Sequence, residues 1–284
     1  MQAFILAAGK GTRLLPYTNY IPKPLFPVLN KPILEKILED CIKSGIKRIG
    51  INLYHLKHKI KKFLSEFQKK FPLLEIVIFE EPELLGTGGA LVNAAEFFKE
   101  PTIVINADIF TNLDFKWLKK MHFKNAAPIS MVLISLKGGV LVDENGFIQA
   151  FRVKHKMENT FFYTGIQVIN PDVISYFFRE KDLIKIYEVL IKKGIKIAAI
   201  KADNFYFKDI GTIQNYLKIH EELLKSLNPF FDLSNLKGVT FKDWVCIGRN
   251  VKIQKGSILE RCVVWDYTSL SKGHYKDSIL TPYE

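Results

Sequence analysis

A glycine-bearing stretch near the start of the chain has the residue types that hold a chain of phosphates. Residues 4–16 read Phe-Ile-Leu-Ala-Ala-Gly-Lys-Gly-Thr-Arg-Leu-Leu-Pro, and residues 22–25 read Pro-Lys-Pro-Leu. Glycines after a short apolar strand let backbone N–H groups come close to a phosphate. Arg13 and Lys23 add the fixed positive charge that an anionic phosphate chain needs. The spacing matches neither the dinucleotide-binding nor the P-loop pattern, because no third glycine opens a helix and no Gly-Lys-Ser/Thr follows.

Two aspartates are candidates for holding a divalent metal. Asp108 ends the apolar strand that we predict at residues 102–107, and Asp209 comes just before the long helix predicted at 212–227. The carboxyl ends of strands line the ligand crevice in open α/β sheets, so we expect Asp108 at the crevice that holds the glycine-bearing stretch. Taken singly, either aspartate fits a helix cap as well as a metal ligand.

In order along the chain, these motifs resemble the signature of the nucleotide-sugar pyrophosphorylases, or sugar-1-phosphate nucleotidyltransferases. Members of that family join a nucleoside triphosphate to a sugar 1-phosphate and release pyrophosphate. Over nearly the whole chain the pattern looks most like mannose-1-phosphate guanylyltransferases, with heptose 1-phosphate guanylyltransferases and N-acetylmuramate 1-phosphate uridylyltransferases as relatives. The resemblance implies an enzyme with Mg²⁺ as its cofactor and with a nucleoside triphosphate and a sugar 1-phosphate as its partners.

The resemblance also assigns roles to individual residues. Arg13 and Lys23 are the catalytic cations on the triphosphate, with Arg13 nearest the leaving pyrophosphate, and Asp108 and Asp209 are the metal ligands. The attacking phosphate oxygen is already ionised at neutral pH, so the reaction needs positioning and positive charge but no general base. The nucleotide-binding residues are Leu6, Ala8, Gly9, Gly11, Thr12, Glu81, Gly88 and Gly89, and the sugar-phosphate-binding residues are Gly139, Lys154 and Gly165.

The stretch before Gly88 and Gly89 is expected to read the edge of the base. Glu81 and Glu83 stand there, and a carboxylate only accepts hydrogen bonds. Guanine presents two adjacent donor groups, whereas uracil and thymine present one N–H between two acceptors, which suits an amide. The glutamates therefore favour GTP over UTP; the alternative is that both face solvent beside Pro82.

The sugar side departs from the family pattern. Where the family has Glu-Lys-Pro, this chain has Val153, Lys154 and His155. The lysine is kept and is expected to bind the sugar phosphate, unless it belongs to a solvated pair with Lys156. Loss of the glutamate puts a glucose-like contact set in doubt, so a mannose-like or differently substituted sugar is expected. The alternatives are a UTP-dependent enzyme for N-acetylmuramate or another sugar 1-phosphate, and a non-catalytic regulatory subunit that binds nucleotide sugars.

The order of strand and helix patterns predicts how these residues are positioned. Over residues 1–228 the patterns alternate, which predicts an α/β fold. We expect a Rossmann-like, mixed, mostly parallel sheet with helices on both faces, similar to the glycosyltransferase-A fold. From residue 245 to 265, apolar residues, Gly and Asn recur at hexapeptide spacing, which predicts a short left-handed β-helix over 235–284. Such short units usually pack on a neighbour or a second subunit, so a homo-oligomer is expected.

The composition narrows the class of protein further. The 284 residues are 48% hydrophobic and carry a net charge of +12, but the lysines are scattered over the polar faces of predicted helices. No nucleic-acid motif accompanies them, so a nucleic-acid partner is not expected. No apolar run is long enough to span a bilayer, no signal peptide is recognisable, and the three cysteines have no metal-binding spacing. We therefore expect a cytoplasmic protein without a membrane partner.

Overall fold

Apolar strand runs and amphipathic helix runs alternate along the first four fifths of the chain, and the structure keeps that order. The computed structural model describes residues 1–153, 159–227 and 236–283. The helices are α1 (Ile33–Lys43), α2 (Lys57–Lys70), α3 (Gly86–Asn93), α4 (Phe115–Lys124), α5 (Pro171–Ile174), α6 (Leu183–Lys192) and α7 (Ile213–Leu227). The strands are β1 (Gln2–Leu6), β2 (Pro27–Val28), β3 (Lys31–Pro32), β4 (Arg48–Leu53), β5 (Glu75–Glu80), β6 (Thr102–Asn106), β7 (Ile109–Thr111), β8 (Ile129–Ile134), β9 (Val140–Val142), β10 (Ile148–Ala150), β11 (Thr160–Ile169), β12 (Ile197–Lys201), β13 (Phe207–Asp209), β14 (Thr240–Ile247), β15 (Lys252–Ile253), β16 (Ile258–Val264), β17 (Ser269–Leu270), β18 (His274–Lys276) and β19 (Ile279–Leu280).

The central sheet is mixed and mostly parallel, as predicted. Its strands lie side by side in the order β5-β4-β1-β6-β11-β8-β12. Within this run β11 is antiparallel to both neighbours, and the other strands run parallel to one another. The hairpin of β9 and β10 extends the sheet beside the first residues of β11. Because β1, β4 and β6 are parallel, their carboxyl ends open at one edge of the sheet.

Helices cover both faces of the sheet, which confirms the predicted layers. Successive side chains of a strand point to opposite faces, so Ile5 joins the apolar cluster of one face while Phe4 joins that of the other. The cluster around Ile5 contains apolar residues of α1, α2, α4 and α7. The cluster around Phe4 contains residues of α3, α5 and α6. Phe4 and Ile5 are themselves fully buried.

The segment from residue 236 onward is built of parallel strands. β14 pairs with β16, β16 pairs with β18 and β19, and β15 pairs with β17, all in parallel. Stacked parallel strands are what a β-helix requires, and the short left-handed β-helix itself stays a prediction. Within the described residues, no helix is both long enough and apolar enough to cross a membrane.

The strands after residue 236 pack against the α/β part of the chain. Trp265 donates from Nε1 to the Tyr216 hydroxyl of α7 over 3.0 Å, and its ring lies 5.0 Å from that of Phe26. Asn30 donates from Nδ2 to the Ile247 carbonyl over 2.6 Å. The predicted boundary between 228 and 235 lies outside the described residues, and the division into two domains stays a prediction.

A buried histidine in α7 makes the stability of this packing depend on pH. The His220 ring is fully buried, donates from Nδ1 to the Tyr216 carbonyl and accepts at Nε2 from the Leu29 amide. Burial lowers the pKa of His220 from 6.5 to about 4. Between those two pH values the unfolded chain binds a proton that the folded chain refuses, so the free energy of unfolding decreases as the pH falls through this window.

We expect this histidine to contribute about 3 kcal/mol of pH-dependent stability, present above pH 6.5 and lost as the pH falls to about 4. Urea unfolding of the wild type and of His220→Gln, measured between about pH 7.5 and 4.5, checks this. The variant is expected to lose stability less steeply on acidification. Equal slopes for the two proteins would contradict the assignment.

Candidate active site

A cleft opens at the carboxyl ends of the parallel strands β1, β4 and β6. It forms a cavity of about 380 Å³. The lining comes from the loop after β1, from Asn52 in β4, from the start of α3 and from the end of β6. The lining residues are Leu6, Ala7, Ala8, Gly9, Gly11, Thr12, Arg13, Lys23, Pro24, Asn52, Leu84, Gly86, Thr87, Asn106, Ala107, Asp108 and Gly211.

The loop after β1 is shaped by Gly11. This glycine has φ of +65°, a left-handed conformation that side chains rarely adopt, and its carbonyl accepts from the Leu14 amide over 2.8 Å. A Cβ at this position would also lie 2.9 Å from Cγ2 of the buried Thr18 and 3.4 Å from Cβ of Lys23. The close approach of these side chains keeps the segments that carry Arg13 and Lys23 together.

A two-stranded ribbon brings the two predicted metal ligands side by side. β7 pairs with β13 in antiparallel register, with Ile109 opposite Asp209, and the Ile210 amide donates to the Asp108 carbonyl over 3.0 Å. The carboxylate of Asp209 accepts from the Gly211 amide over 2.8 Å and from Asn215 Nδ2 over 3.2 Å. Two residues that are 101 positions apart in the sequence, Asp108 and Asp209, therefore lie at neighbouring positions at one edge of the cleft.

The two cations lie against the two aspartates. Lys23 Nζ forms an ion pair with Asp108 Oδ2, and both side chains are largely buried. A Cβ built on Gly211 would lie 2.9 Å from Arg13 Nη2 and 2.5 Å from Asp209 Oδ1, so the guanidinium and the carboxylate both lie against this glycine. The site thus contains two positive and two negative charges that substrate phosphates and a metal ion would separate.

The donor set fits a magnesium ion that is shared with substrate. In the part of the chain that the structure describes, no group of three or more His, Cys, Asp or Glu side chains could enclose a metal ion. Magnesium commonly takes one or two protein carboxylates and completes its shell with water and phosphate oxygens. Asp108 and Asp209 satisfy that requirement.

A second cavity of about 500 Å³ continues from the first and shares Arg13, Asn106 and Asp108 with it. Gly165 lines it with φ of +80°, and a Cβ there would lie 2.7 Å from Asn106 Nδ2. The other lining residues are Ile109, Ile134, Leu136, Phe162, Tyr163, Thr164, Phe207, Lys208, Asp209 and Asn215.

Most of the predicted site residues meet at these two cavities. Leu6, Ala8, Gly9, Gly11, Thr12, Arg13, Lys23 and Asp108 line the first, and Arg13, Asp108, Gly165 and Asp209 line the second. Their individual roles stay predictions. Lys154 lies outside the described residues.

The structure places Gly88 and Gly89 outside both cavities, and their expected contacts with the base stay predictions. Helix α3 begins at Gly86, so Gly86 and Thr87 face the cleft, and the next two residues turn away from it. A Cβ on Gly88 would overlap the Glu180 carbonyl oxygen. A glycine is therefore required at this position because the segment before α6 packs closely against it. Gly89 lines a separate groove with Arg179 and Glu180.

Glu81 and Gly139 also lie outside both cavities, and their predicted binding roles stay predictions. Glu81 is 2% exposed and lies below the cleft lining. Its Oε1 accepts from Asn52 Nδ2 over 2.7 Å, and its Oε2 accepts from the Leu85 amide over 2.9 Å. Gly139 accepts at its carbonyl from the Val153 amide and lines neither cavity.

Sequence reasoning missed several polar or small residues of the site. Asn52 accepts at Oδ1 from the Ala7 amide over 2.8 Å and so connects β4 to the loop after β1. Asn106 and Asn215 line the second cavity. Asn106 lies two residues before Asp108, and Gly211 lies two residues after Asp209. This closeness in sequence to the predicted aspartates is the signal by which Asn106 and Gly211 could have been found.

Comparison with known proteins agrees with this geometry. Residues 2–226 match the family model described as Nucleotidyl transferase. The chain is 33% identical to a UTP–glucose-1-phosphate uridylyltransferase of Synechocystis, over 96% of this chain and 85% of the relative. It is 32% identical to a D-glycero-α-D-manno-heptose 1-phosphate guanylyltransferase of Campylobacter jejuni, over 76% of this chain and 97% of the relative.

A solved structure shares the fold. It belongs to a Bacillus anthracis protein assigned as a glucose-1-phosphate thymidylyltransferase, with a TM-score of 0.69 and 20% identity over 81% of this chain and 97% of that one. The family model extends over most of the chain and includes the loop after β1, both aspartates and the ribbon that joins them. The chain therefore belongs to the nucleotidyl transferase family.

Proposed function

We propose that this protein joins a nucleoside triphosphate to a sugar 1-phosphate and releases pyrophosphate, with Mg²⁺ as its cofactor. The observation that carries the proposal is the meeting of Arg13, Lys23, Asp108 and Asp209 where two cavities join. One cavity suits the nucleotide and the other suits the sugar phosphate. Substrates seated in both would bring the attacking oxygen and the α-phosphorus to the charged groups.

The residues act by positioning and by neutralising charge. Backbone N–H groups of the loop after β1 hold the phosphates, Arg13 and Lys23 oppose the negative charge of the departing pyrophosphate, and Asp108 and Asp209 hold the metal ion. Bound Mg²⁺ supplies further positive charge at the phosphate oxygens. Positioning and electrostatic stabilisation are sufficient for phosphoryl-type transfer, since the nucleophile is already ionised.

GTP is our proposed nucleotide, and UTP is the second candidate. GTP is supported by the two glutamates in the stretch expected to read the base and by the similarity to the heptose 1-phosphate guanylyltransferase of Campylobacter jejuni. One observation favours UTP. Both oxygens of Glu81 already accept hydrogen bonds from the protein, so this carboxylate is engaged and does not select the two donor groups of guanine. The Synechocystis relative, which matches almost the whole chain, is a uridylyltransferase.

Glu81→Gln shows whether Glu81 contacts the base or only holds neighbouring protein groups. If Glu81 holds Asn52 and the Leu85 amide, an amide group in its place turns an N–H toward one of those donors and leaves it unpaired. The variant is then expected to lose about 1–3 kcal/mol of unfolding free energy and to keep its ratio of GTP to UTP turnover. Urea unfolding and turnover with both nucleotides measure this. A switch from GTP to UTP at unchanged stability would instead support direct contact with the base.

For the sugar we propose a mannose-like sugar 1-phosphate, with an apolar-substituted sugar as the second candidate. The second candidate is supported by Leu136 and Phe162, which are 62% and 45% exposed and line the second cavity. Exposed apolar side chains inside a ligand cavity favour a ligand with apolar surface. Acetyl or methyl groups on the sugar would supply that surface.

A matrix of nucleoside triphosphates against sugar 1-phosphates, with pyrophosphate release as the measurement, tests the proposed function. We expect release that requires both substrates and Mg²⁺, and that is greatest for one pair. Binding of nucleotide sugars without pyrophosphate release from any pair would instead support the non-catalytic regulatory subunit. The cytoplasmic location and the homo-oligomer stay predictions.

A further inference from the structure

Residues 15–21, which connect Arg13 to Lys23, are covered by residues 279–283 from the far end of the described chain. The rings of Tyr20 and Tyr283 stack with a centroid distance of 5.1 Å and an interplanar angle of 6°. The Tyr17 hydroxyl donates to the Ile279 carbonyl over 3.2 Å. We call residues 15–21 the connecting loop and residues 279–283 the covering segment.

A lysine of α2 ties the two segments together from the side. Lys59 Nζ donates to the Tyr20 carbonyl and lies 5.7 Å from the centroid of the Tyr283 ring. Such a cation over an aromatic face adds an attraction beyond ring stacking. His55 also donates from Nε2 to the Thr18 carbonyl over 2.7 Å, so the connecting loop is held through side chains and not through a strand ladder.

The contacts continue from the connecting loop into the site. Thr18 lies between Tyr17 and Tyr20 in sequence, is 1% exposed, and donates from its hydroxyl to the Gly11 carbonyl over 3.2 Å. Gly11 is the left-handed residue before the turn that carries Arg13, and a Cβ on it would touch Lys23 as well as Thr18. A displacement of the connecting loop would therefore move both cations of the site.

We propose that the covering segment positions the connecting loop, and through it Arg13 and Lys23, for the reaction. The proposal rests on the proposed function and extends it to residues that line neither cavity. Tyr20 and Tyr283 are 42% and 39% exposed, so their stacking adds little to the apolar core. An exposed aromatic pair at this place has a clearer use in holding the loop than in holding the fold.

The test compares Tyr283→Ala, Tyr20→Ala and the double variant in pyrophosphate release. Each single variant is expected to lower kcat about threefold to tenfold. This range is the free energy of an aromatic pair converted to a change in rate. The double variant is expected to lose no more than the larger single loss, because the stack is already broken. KM and the thermal midpoint are expected to stay close to wild type, and Tyr283→Phe is expected to keep wild-type kcat.

Tyr267→Ala is the matched control, because this tyrosine belongs to the same part of the chain and is 66% exposed. Hydrogen exchange of peptides that span the connecting loop gives a second measurement, which does not depend on activity. Faster exchange in Tyr283→Ala, with the control unchanged, is expected. Unchanged kcat and unchanged exchange, or a lower thermal midpoint without a change in kcat, would overturn the proposal. A wild type that releases no pyrophosphate would contradict the proposed function. Hydrogen exchange would then still test whether the covering segment holds the connecting loop.

Discussion

Replacing Asp108 with asparagine is expected to lower kcat by about a thousandfold, which corresponds to about 4 kcal/mol of transition-state stabilisation. Asparagine has the same shape and still accepts a hydrogen bond from Lys23, so the fold is expected to remain. The lost charge removes one of the two carboxylates that the site offers to a divalent ion, and it leaves the Lys23 ammonium hydrogen-bonded but without an opposite charge. Steady-state pyrophosphate release over a range of Mg²⁺ concentrations, with a thermal midpoint for each protein, measures both effects.

Asp114→Asn is the matched control for this prediction. Asp114 also follows a strand, but its carboxylate caps α4 by accepting from the Lys116 amide over 2.8 Å. Asparagine is an equally good cap, so this variant is expected to keep both activity and stability. Near-full activity of Asp108→Asn at saturating Mg²⁺ would rule out the metal-binding role.

Replacing Gly211 with alanine is expected to lower kcat about a hundredfold while the protein stays folded. The new Cβ would lie against the ends of two flexible side chains, Arg13 and Asp209, and not against backbone. Such ends move at little cost to stability, but the movement displaces the proposed catalytic cation and the proposed metal ligand together. Displacement by about 1 Å is enough for a loss of this size.

The control for Gly211→Ala is Gly273→Ala, whose Cβ would come nearest to the side chain of Tyr275, far along the chain from the site. That variant is expected to keep wild-type kcat. The Gly211 variant is also expected to need more Mg²⁺ for half-maximal rate, because Asp209 is displaced. Wild-type kcat and Mg²⁺ dependence in Gly211→Ala would show that neither side chain is held at this glycine.

The positions that the sequence predicted best are those whose function depends on local geometry. Gly11, Arg13 and Lys23 belong to one short segment, and a turn that needs positive φ next to fixed charges is readable from residue types alone. Strand ends are also local features, which is why Asp108 was assigned to the crevice from the apolar run before it. For the same reason the alternation of elements was sufficient for the mixed, mostly parallel sheet.

The residues that lie away from the expected cleft surface are those whose neighbours come from segments distant in sequence. Glu81 was expected to face the base, but the fold places Asn52 of the neighbouring strand and the Leu85 amide around its carboxylate. Gly88 was expected to support the base, but the start of α3 at Gly86 turns it toward Glu180. Neither outcome follows from spacing, because each depends on a segment that is distant in sequence.

The sequence by itself determined the turn after β1 with its two cations, the layered α/β architecture and the two candidate metal ligands. Only the tertiary structure decided which of these meet. The β7–β13 ribbon places Asp209 beside Asp108, and the Arg13 guanidinium lies against Gly211. Residues 279–283 cover the loop between Arg13 and Lys23. The physical reason is that residue type and spacing govern backbone geometry over a few residues, whereas contacts between distant segments are governed by how the sheet and its covering elements pack.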